Sequence, residues 1–379
     1  MSGEPNQAKP APSTRPSPYF VSLPVDLTFM GGFSLLAYFL LKSYGGTTRS
    51  EWAWTLAGYL VWVVNWPHFS ATSFRLYGSR AHLRQYPVTA FVTPFVVGAG
   101  VLGSFASPAL IAPYFIKFFL IWSPYHFSGQ TIGVSLLYAR RGGWTVGTVQ
   151  RNALSAFVYG TFLLGSVRAE VGLSTGQYFG LAYPSFGLPP SVAAAVESFV
   201  WVAGIVLALS ILGRASKEKK APPLLFLVPA IVQYVWFVAG TRIPNYVEFV
   251  PCFHSLQYML IAWSMNLKDK ADRTSTVATR SYVTRESIRW YVVNVVGGAI
   301  LFSLMPTIAK GFGISVPLAD AVVIAGVQIH HFFVDGVIWK LRTKSVVSPL
   351  LVNIPDMIRQ ASAAPAPAAP AGEAAKEAA

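Results

Sequence analysis

Apolar stretches of about 20 residues recur along the whole chain, separated by short polar stretches. About 20 apolar residues form a helix that crosses a bilayer, whereas a transmembrane barrel would show shorter segments of alternating polarity. The pattern therefore predicts an all-α, polytopic integral membrane protein with about ten transmembrane helices. The predicted spans lie near residues 24–43, 52–74, 88–107, 112–138, 153–173, 191–213, 222–240, 246–266, 290–309 and 317–339.

The same pattern divides the chain into one membrane domain and its flanking segments. Residues 19–345 form the single helical membrane domain, and residues 1–18, which lack the features of a secretory signal, are expected to be a disordered tail. Residues 346–360 mix apolar and polar side chains around two prolines, as a segment on the membrane surface would. Residues 361–379 are rich in Ala and Pro and are predicted to be disordered.

Composition and charge support a membrane location. The chain is 53% hydrophobic and 12% charged, about half of the roughly 25% charged residues of a soluble domain. A net charge of +14 would suggest a nucleic-acid partner in a soluble protein, but here the basic residues gather in alternate loops, which is typical of cytoplasmic loops. We therefore expect both termini in the cytoplasm, a membrane such as the bacterial inner membrane, and lipids rather than nucleic acid as partners.

Cysteine content excludes two classes of site. The single Cys252 lies in an apolar run. It allows neither an intramolecular disulfide framework nor a thiolate zinc site.

Five of the six histidines fall inside predicted spans. An ionisable side chain in hydrocarbon is costly unless it faces a cavity or a partner, so each is a candidate functional residue. They are His68, His126, His254 and the adjacent pair His330 and His331. In the predicted topology their helices run in the same direction, and the histidines lie roughly 10 to 21 Å from the inner boundary at 1.5 Å per residue. The histidines can therefore share one layer.

Each of these helices carries a second polar group three or four residues from its histidine, on the same face. The pairs are Asn65 with His68, Gln130 with His126, Gln257 with His254, and both Gln328 and Asp335 with His331. A metal-bound imidazole usually donates its other N–H to a carboxylate, amide or carbonyl, so these companions are predicted to orient the ligands. Asp335 is the only carboxylate well inside a span, and is expected to be a ligand or an orienting acceptor.

Imidazoles with a carboxylate suit iron, zinc, copper or haem. Four or five histidines fit one mononuclear centre, with His330, which points about 100° away from His331, at its edge. Three alternatives remain open: haem held by two histidines, a proton-coupled transporter with a His/Asp relay, and histidines that only hydrogen-bond between helices. Aromatic residues around the histidine motifs predict a dry, apolar substrate cavity.

The motifs NWPHFSAT, WSPYHFSGQ, PCFHSLQYM and VQIHHFFVDG resemble the arrangement in polytopic non-haem iron membrane oxygenases, such as the bacterial Brp/Blh carotene-cleaving enzymes and the fatty-acid desaturases and hydroxylases. The likeness lies in histidines on several membrane helices; the HxxxH and HxxHH boxes of desaturases are absent. The resemblance implies an oxidoreductase with iron held by His68, His126, His254 and His331, acting on a lipid-like or isoprenoid substrate. It also implies catalytic roles for Asp335 and His330, the latter as a fifth ligand or a base, and an electron donor as a partner.

Overall fold

The computed structural model describes residues 17–44, 50–339 and 349–363. Most of the two predicted tails and the basic residues between 340 and 344 lie outside these ranges. Among the described residues the helices are α1 Leu23–Tyr44, α2 51–77, α3 Arg80–Gln85, α4 Val88–Ala106, α5 Ala112–Arg141, α6 Thr148–Ala169, α7 Pro190–Glu218, α8 Leu224–Arg242, α9 Tyr246–Thr274, α10 Arg280–Gly311, α11 Val316–Ile338 and α12 Ile354–Ala363. Each predicted span corresponds to one long helix.

The all-α expectation is confirmed, and much of the helical surface is suited to lipid. Among the described helices, six are long and apolar enough to cross a membrane: α1, α4, α7, α8, α10 and α11. On α7, for example, Phe199, Trp201 and Ile205 all point outward and are exposed. A wide exposed apolar face is unusual in water and is typical of contact with a membrane.

Pro67 interrupts the backbone hydrogen bonding of α2, the helix that carries His68. In α2 a π-helical turn, Val61–Asn65, ends two residues before Pro67. Proline has no N–H, so the carbonyl of Val63, four residues earlier, loses its helical donor. The Tyr291 hydroxyl on α10 donates to this carbonyl over 2.8 Å. α2 therefore continues through the proline, and a contact with α10 satisfies the backbone just before His68.

The helices that carry histidines meet inside the bundle. α9 packs against α1, α2 and α8, while α11 packs against α2, α4 and α5. The largest group of buried apolar side chains joins α1, α5, α8 and α9, and includes the fully buried Trp236 and Tyr246. These contacts bring α2, α5, α9 and α11 around one interior region.

A short antiparallel hairpin joins α6 to α7, where the sequence predicted only a loop. Its strands are β1 Thr175–Tyr178 and β2 Leu181–Pro184. Phe179 and Gly180 connect them with positive φ values of 49° and 80°, the conformation of a two-residue type I′ turn. Tyr178 packs against Phe119 of α5, with ring centroids 5.3 Å apart, so the hairpin covers one end of the bundle.

Arg141, the last residue of α5, joins the two ends of the described chain. Its guanidinium donates to the carbonyl oxygens of Tyr19, before α1, and Leu350, after α11. The backbone N–H of Ile354 also donates to the carbonyl of Phe20 over 2.8 Å. The segment expected on the membrane surface therefore contacts the bundle, and both ends of the described chain lie at the same end of it.

Candidate metal centre

The imidazoles of His68, His126, His254 and His331 converge from α2, α5, α9 and α11. Each offers one ring nitrogen, and these four atoms lie within 4.8 Å of one another. The Nε2 atoms of His126 and His331 are 3.3 Å apart. Three of the side chains are buried and His126 is partly exposed. Since histidine nitrogens bind metals at about 2.0 to 2.1 Å, small side-chain movements would let this group hold a metal ion.

Several nitrogens of the group have no hydrogen-bond partner in the described part of the chain. They are Nε2 of His68, both ring nitrogens of His254 and Nδ1 of His331. A buried polar atom left without a partner costs about 1 to 3 kcal/mol, so a folded protein rarely leaves so many close together. A metal ion would give partners to those that face the shared space. The donor set therefore fits a cation.

Ser255 of α9 determines which nitrogen of His68 carries the proton. The serine hydroxyl donates its one hydrogen to the carbonyl of Pro251, 2.8 Å away. His68 Nδ1 lies 2.9 Å from the Oγ of Ser255, and Asn65 Nδ2 also donates to this Oγ over 2.9 Å. Because a hydroxyl has only one donor proton, His68 Nδ1 must be the donor in its contact. The lone pair of His68 then lies on Nε2, where a metal ligand needs it.

Asp335 lies beside the imidazoles, one helical turn after His331. Its Oδ2 is 3.3 Å from His331 Nε2, 3.6 Å from His126 Nε2 and 4.0 Å from His68 Nε2. Its Oδ1 accepts from the Trp339 indole over 3.1 Å and from the Thr72 hydroxyl over 3.0 Å. One oxygen is thus held by neutral donors, and the other faces three of the four histidines. A negative charge at this point would favour a bound cation.

Aromatic rings pack directly against the imidazoles. Phe127 stacks on His254 with centroids 4.0 Å apart, and Phe332 stacks on His126 at 4.7 Å. Tyr258 lies 4.2 Å from the ring of His68. Such packing restricts ring rotation and excludes water, which strengthens electrostatic interactions inside the site.

The structure pairs most of the predicted companions with groups other than the imidazole nitrogens. Asn65 reaches His68 only through Ser255. The remaining amides donate elsewhere: Gln130 to the carbonyl of His254, Gln257 to the carbonyl of Met30, and Gln328 to the hydroxyl of Tyr178. A shared helix face brings two side chains near each other, but a long amide can turn toward any backbone group on the next helix.

His330 lies apart from the four converging histidines. Its Nε2 is 3.0 Å from the hydroxyl of Tyr77, with which its ring stacks. Adjacent residues on a helix point about 100° apart, so when His331 faces the interior His330 cannot. The structure does not bring His330 into the candidate centre, either as a fifth ligand or beside it as a base.

A cavity of about 500 Å³ opens next to the histidines. His126 and Asp335 are part of its wall, and most of the lining is apolar or aromatic, including Trp122, Phe332 and Trp339. Ligand cavities typically measure about 300 to 1,000 Å³ and combine apolar walls with a few polar groups. This cavity has the size and character of a site for an apolar small molecule.

Comparison of the chain with protein-family models, curated proteins and solved structures finds no match. A function must therefore be argued from the geometry and chemistry of the site.

Proposed function

We propose that the chain is a membrane-embedded metalloenzyme that uses one histidine-bound iron ion to oxidise a lipid-like or isoprenoid substrate. The observation that carries the proposal is the convergence of four imidazoles, from four separate helices, to within 4.8 Å. Histidines that only joined helices would bond to scattered partners. Here they face one another, beside a carboxylate and an apolar cavity.

The proposal includes ten spans with both termini in the cytoplasm. Six helices have the length and composition for a span. The other four long helices, α2, α5, α6 and α9, have similar lengths but carry more polar side chains, among them three of the converging histidines. The hydrogen bond from Ile354 to Phe20 brings the two ends of the described chain together, which supports termini on the same side of the membrane. An even number of crossings satisfies this arrangement, and the basic loops indicate that this side is the cytoplasm.

The donor set supports a single metal ion held by histidines over a haem or a pair of ions. Imidazole and carboxylate ligands suit iron, and also zinc and copper. A haem held by two of these histidines would need its macrocycle between them, and the other two imidazoles crowd that space. The presence of one carboxylate beside four imidazoles supports one ion rather than two.

Each group near the ion has a distinct task in this proposal. His68, His254 and His331 bind it from buried positions, while His126 does so from the cavity wall. Asp335 holds negative charge beside the ligands, and the aromatic wall positions an apolar chain next to them. When bound, iron supplies the oxygen chemistry, and the protein supplies geometry and a dry site.

Metal analysis and an optical spectrum of the purified protein test the proposal. We expect stoichiometric iron without a Soret band, and oxygen uptake when a lipid extract and a reductant are added. The adjacent pair offers a matched comparison: His331→Gln should lose the metal, whereas His330→Gln should retain it. A protein that binds no metal, even after reconstitution, or a Soret band in the spectrum, would refute the proposed centre.

A further inference from the structure

A second cavity, of about 250 Å³, lies between the ends of α2, α9 and α10 and the short helix α3. It is separate from the candidate metal centre, and charged side chains make up more of its lining. Its lining includes basic side chains from three of these helices: Arg75, Lys270, Arg273 and Arg289, together with the histidine His82 of α3. In the proposed topology it faces the cytoplasm.

The cavity has an excess of positive charge. Of its four permanently charged cations, Lys270 and Arg289 both pair with Glu286, at 2.5 and 2.8 Å. Asp269, in the lining, lies 3.5 Å from Arg75. These two carboxylates offset two of the four charges, so two positive charges remain at one concave site. A phosphate group carries about −1.5 to −2 at neutral pH and would balance them.

Two buried donors in the lining have no partner among the described residues. They are Nε of Arg75 and Nδ2 of Asn266. The side chain of Arg75 is only 13% exposed, and its guanidinium packs 5.3 Å from the ring of Trp339. Residues that line a basic cavity and carry unpaired N–H donors can supply hydrogen bonds to an oxyanion after a small side-chain rotation.

We propose that this cavity binds a phosphate group, with Arg75, Asn266 and Arg273 among its ligands. The arginines favour an oxyanion because their planar forks match phosphate geometry. The group can belong to the headgroup of a membrane lipid or to a soluble phosphate compound, which offer the same chemistry. The site requires no metal, so its existence is independent of the proposed enzyme.

The test uses the full-length protein in detergent and two probes. Inorganic phosphate is titrated by calorimetry, and phosphatidic acid is followed by native mass spectrometry against a diacylglycerol with the same chains. We expect saturable binding of one probe or both. Phosphatidic acid alone would identify a lipid headgroup, and inorganic phosphate alone would identify a soluble phosphate compound. Binding of both would show that the site recognises the phosphate group itself.

Variants connect the binding to this cavity. Asn266→Leu and Arg273→Gln should each weaken it about tenfold, since a hydrogen bond to a charged group contributes on the order of one such factor. Asp269→Asn should strengthen it, because it removes a like charge, and misfolding would not produce a gain. The matched control is Arg80→Gln, a nearby arginine that does not line the cavity. If neither probe binds saturably, if diacylglycerol binds as well as phosphatidic acid, or if Asn266→Leu and Arg273→Gln bind like the wild type, the proposal is wrong.

Discussion

Replacement of Asp335 by asparagine tests how the centre holds a cation. Asparagine keeps the size of the side chain and one acceptor oxygen, which can still receive the Trp339 and Thr72 hydrogen bonds to the present Oδ1. The amide then replaces Oδ2, the oxygen 3.3 Å from His331 Nε2. The negative charge is lost while the contacts that hold the side chain remain. The protein should therefore insert and fold normally.

The expected loss of metal affinity follows from the distances. Oδ2 of Asp335 lies 3.3 Å from Nε2 of His331, beside the four nitrogens that lie within 4.8 Å of one another, so its charge would act on a bound cation. Changes to groups that lie just outside the metal ligands typically reduce affinity about 10 to 100-fold, or roughly 1.4 to 2.7 kcal/mol. A much larger loss would mean that the carboxylate binds the ion directly. Both results keep Asp335 in the site.

The assay is competition for the metal by chelators of graded affinity, followed by elemental analysis, with membrane yield and thermal stability measured alongside. Asp272→Asn, on the exposed last turns of α9, is the matched control and should leave the metal in place. If Asp335→Asn binds metal as tightly as the wild type, the reasoning from charge and distance is refuted, and Asp335 serves only packing.

Three further predictions address the ligands, the cavity and the topology. Ser255→Ala should lower metal affinity by about tenfold, because His68 loses the acceptor that sets its tautomer. Ser264→Ala on the same helix is the control and should have no effect. Equal metal affinity in the two variants would count against the assigned tautomer of His68. Gly133→Phe should fill part of the cavity, because Gly133 lines it and a Cβ added there meets no other atom within 4 Å. The variant should weaken binding of a fluorescent polyene fatty acid by on the order of tenfold while metal is retained. Gly213→Phe, where a Cβ also meets no other atom within 4 Å but which lies outside the cavity, is the control, and unchanged fatty-acid binding in Gly133→Phe would argue against the cavity as the substrate site. A cysteine at Ala182 in the hairpin should react with an impermeant maleimide only from outside, and labelling from the cytoplasm would break the ten-span topology.

The helices and the histidine layer could be predicted because each depends on a strong local pattern. Long apolar runs have one stable structure in a bilayer, so the spans matched real helices. Helix direction and depth along each predicted span are enough to predict one shared layer for His68, His126, His254 and His331. Asp335 was found because a carboxylate inside a span is rare.

The contacts of the amide companions could not be predicted, because they depend on which helices are neighbours. Gln130 and Gln257 share a face with their histidines, but α9 and α1 offer them backbone carbonyls. Ser255 was overlooked because serine is common in membrane helices, and its role follows only from its position between α2 and α9. The spacing of residues around Ser255 and His254 alone gave no sign of it.

The basic cavity was also beyond the sequence. In the sequence, Arg75 is one of many basic residues near the ends of predicted spans, and nothing local distinguishes it from Arg80. Their difference arises because Arg75 lies against Trp339 and Asp269, which come from distant parts of the chain. Only the packing of the helices shows that Arg75 lines a cavity whereas Arg80 faces solvent.

The wide spacing of the four histidines along the chain has a consequence for biosynthesis. His331 lies on α11, the last long helix among the described residues, whereas His68 lies on α2. During synthesis, α2, α5 and α9 leave the ribosome before the fourth imidazole exists. In the proposed centre the complete ligand set therefore forms only when α11 has inserted, and metal loading in full coordination would be a late event. A ribosome-bound chain that ends before α11 would offer only three of the four histidines and would also lack the helix that packs against α2, α4 and α5.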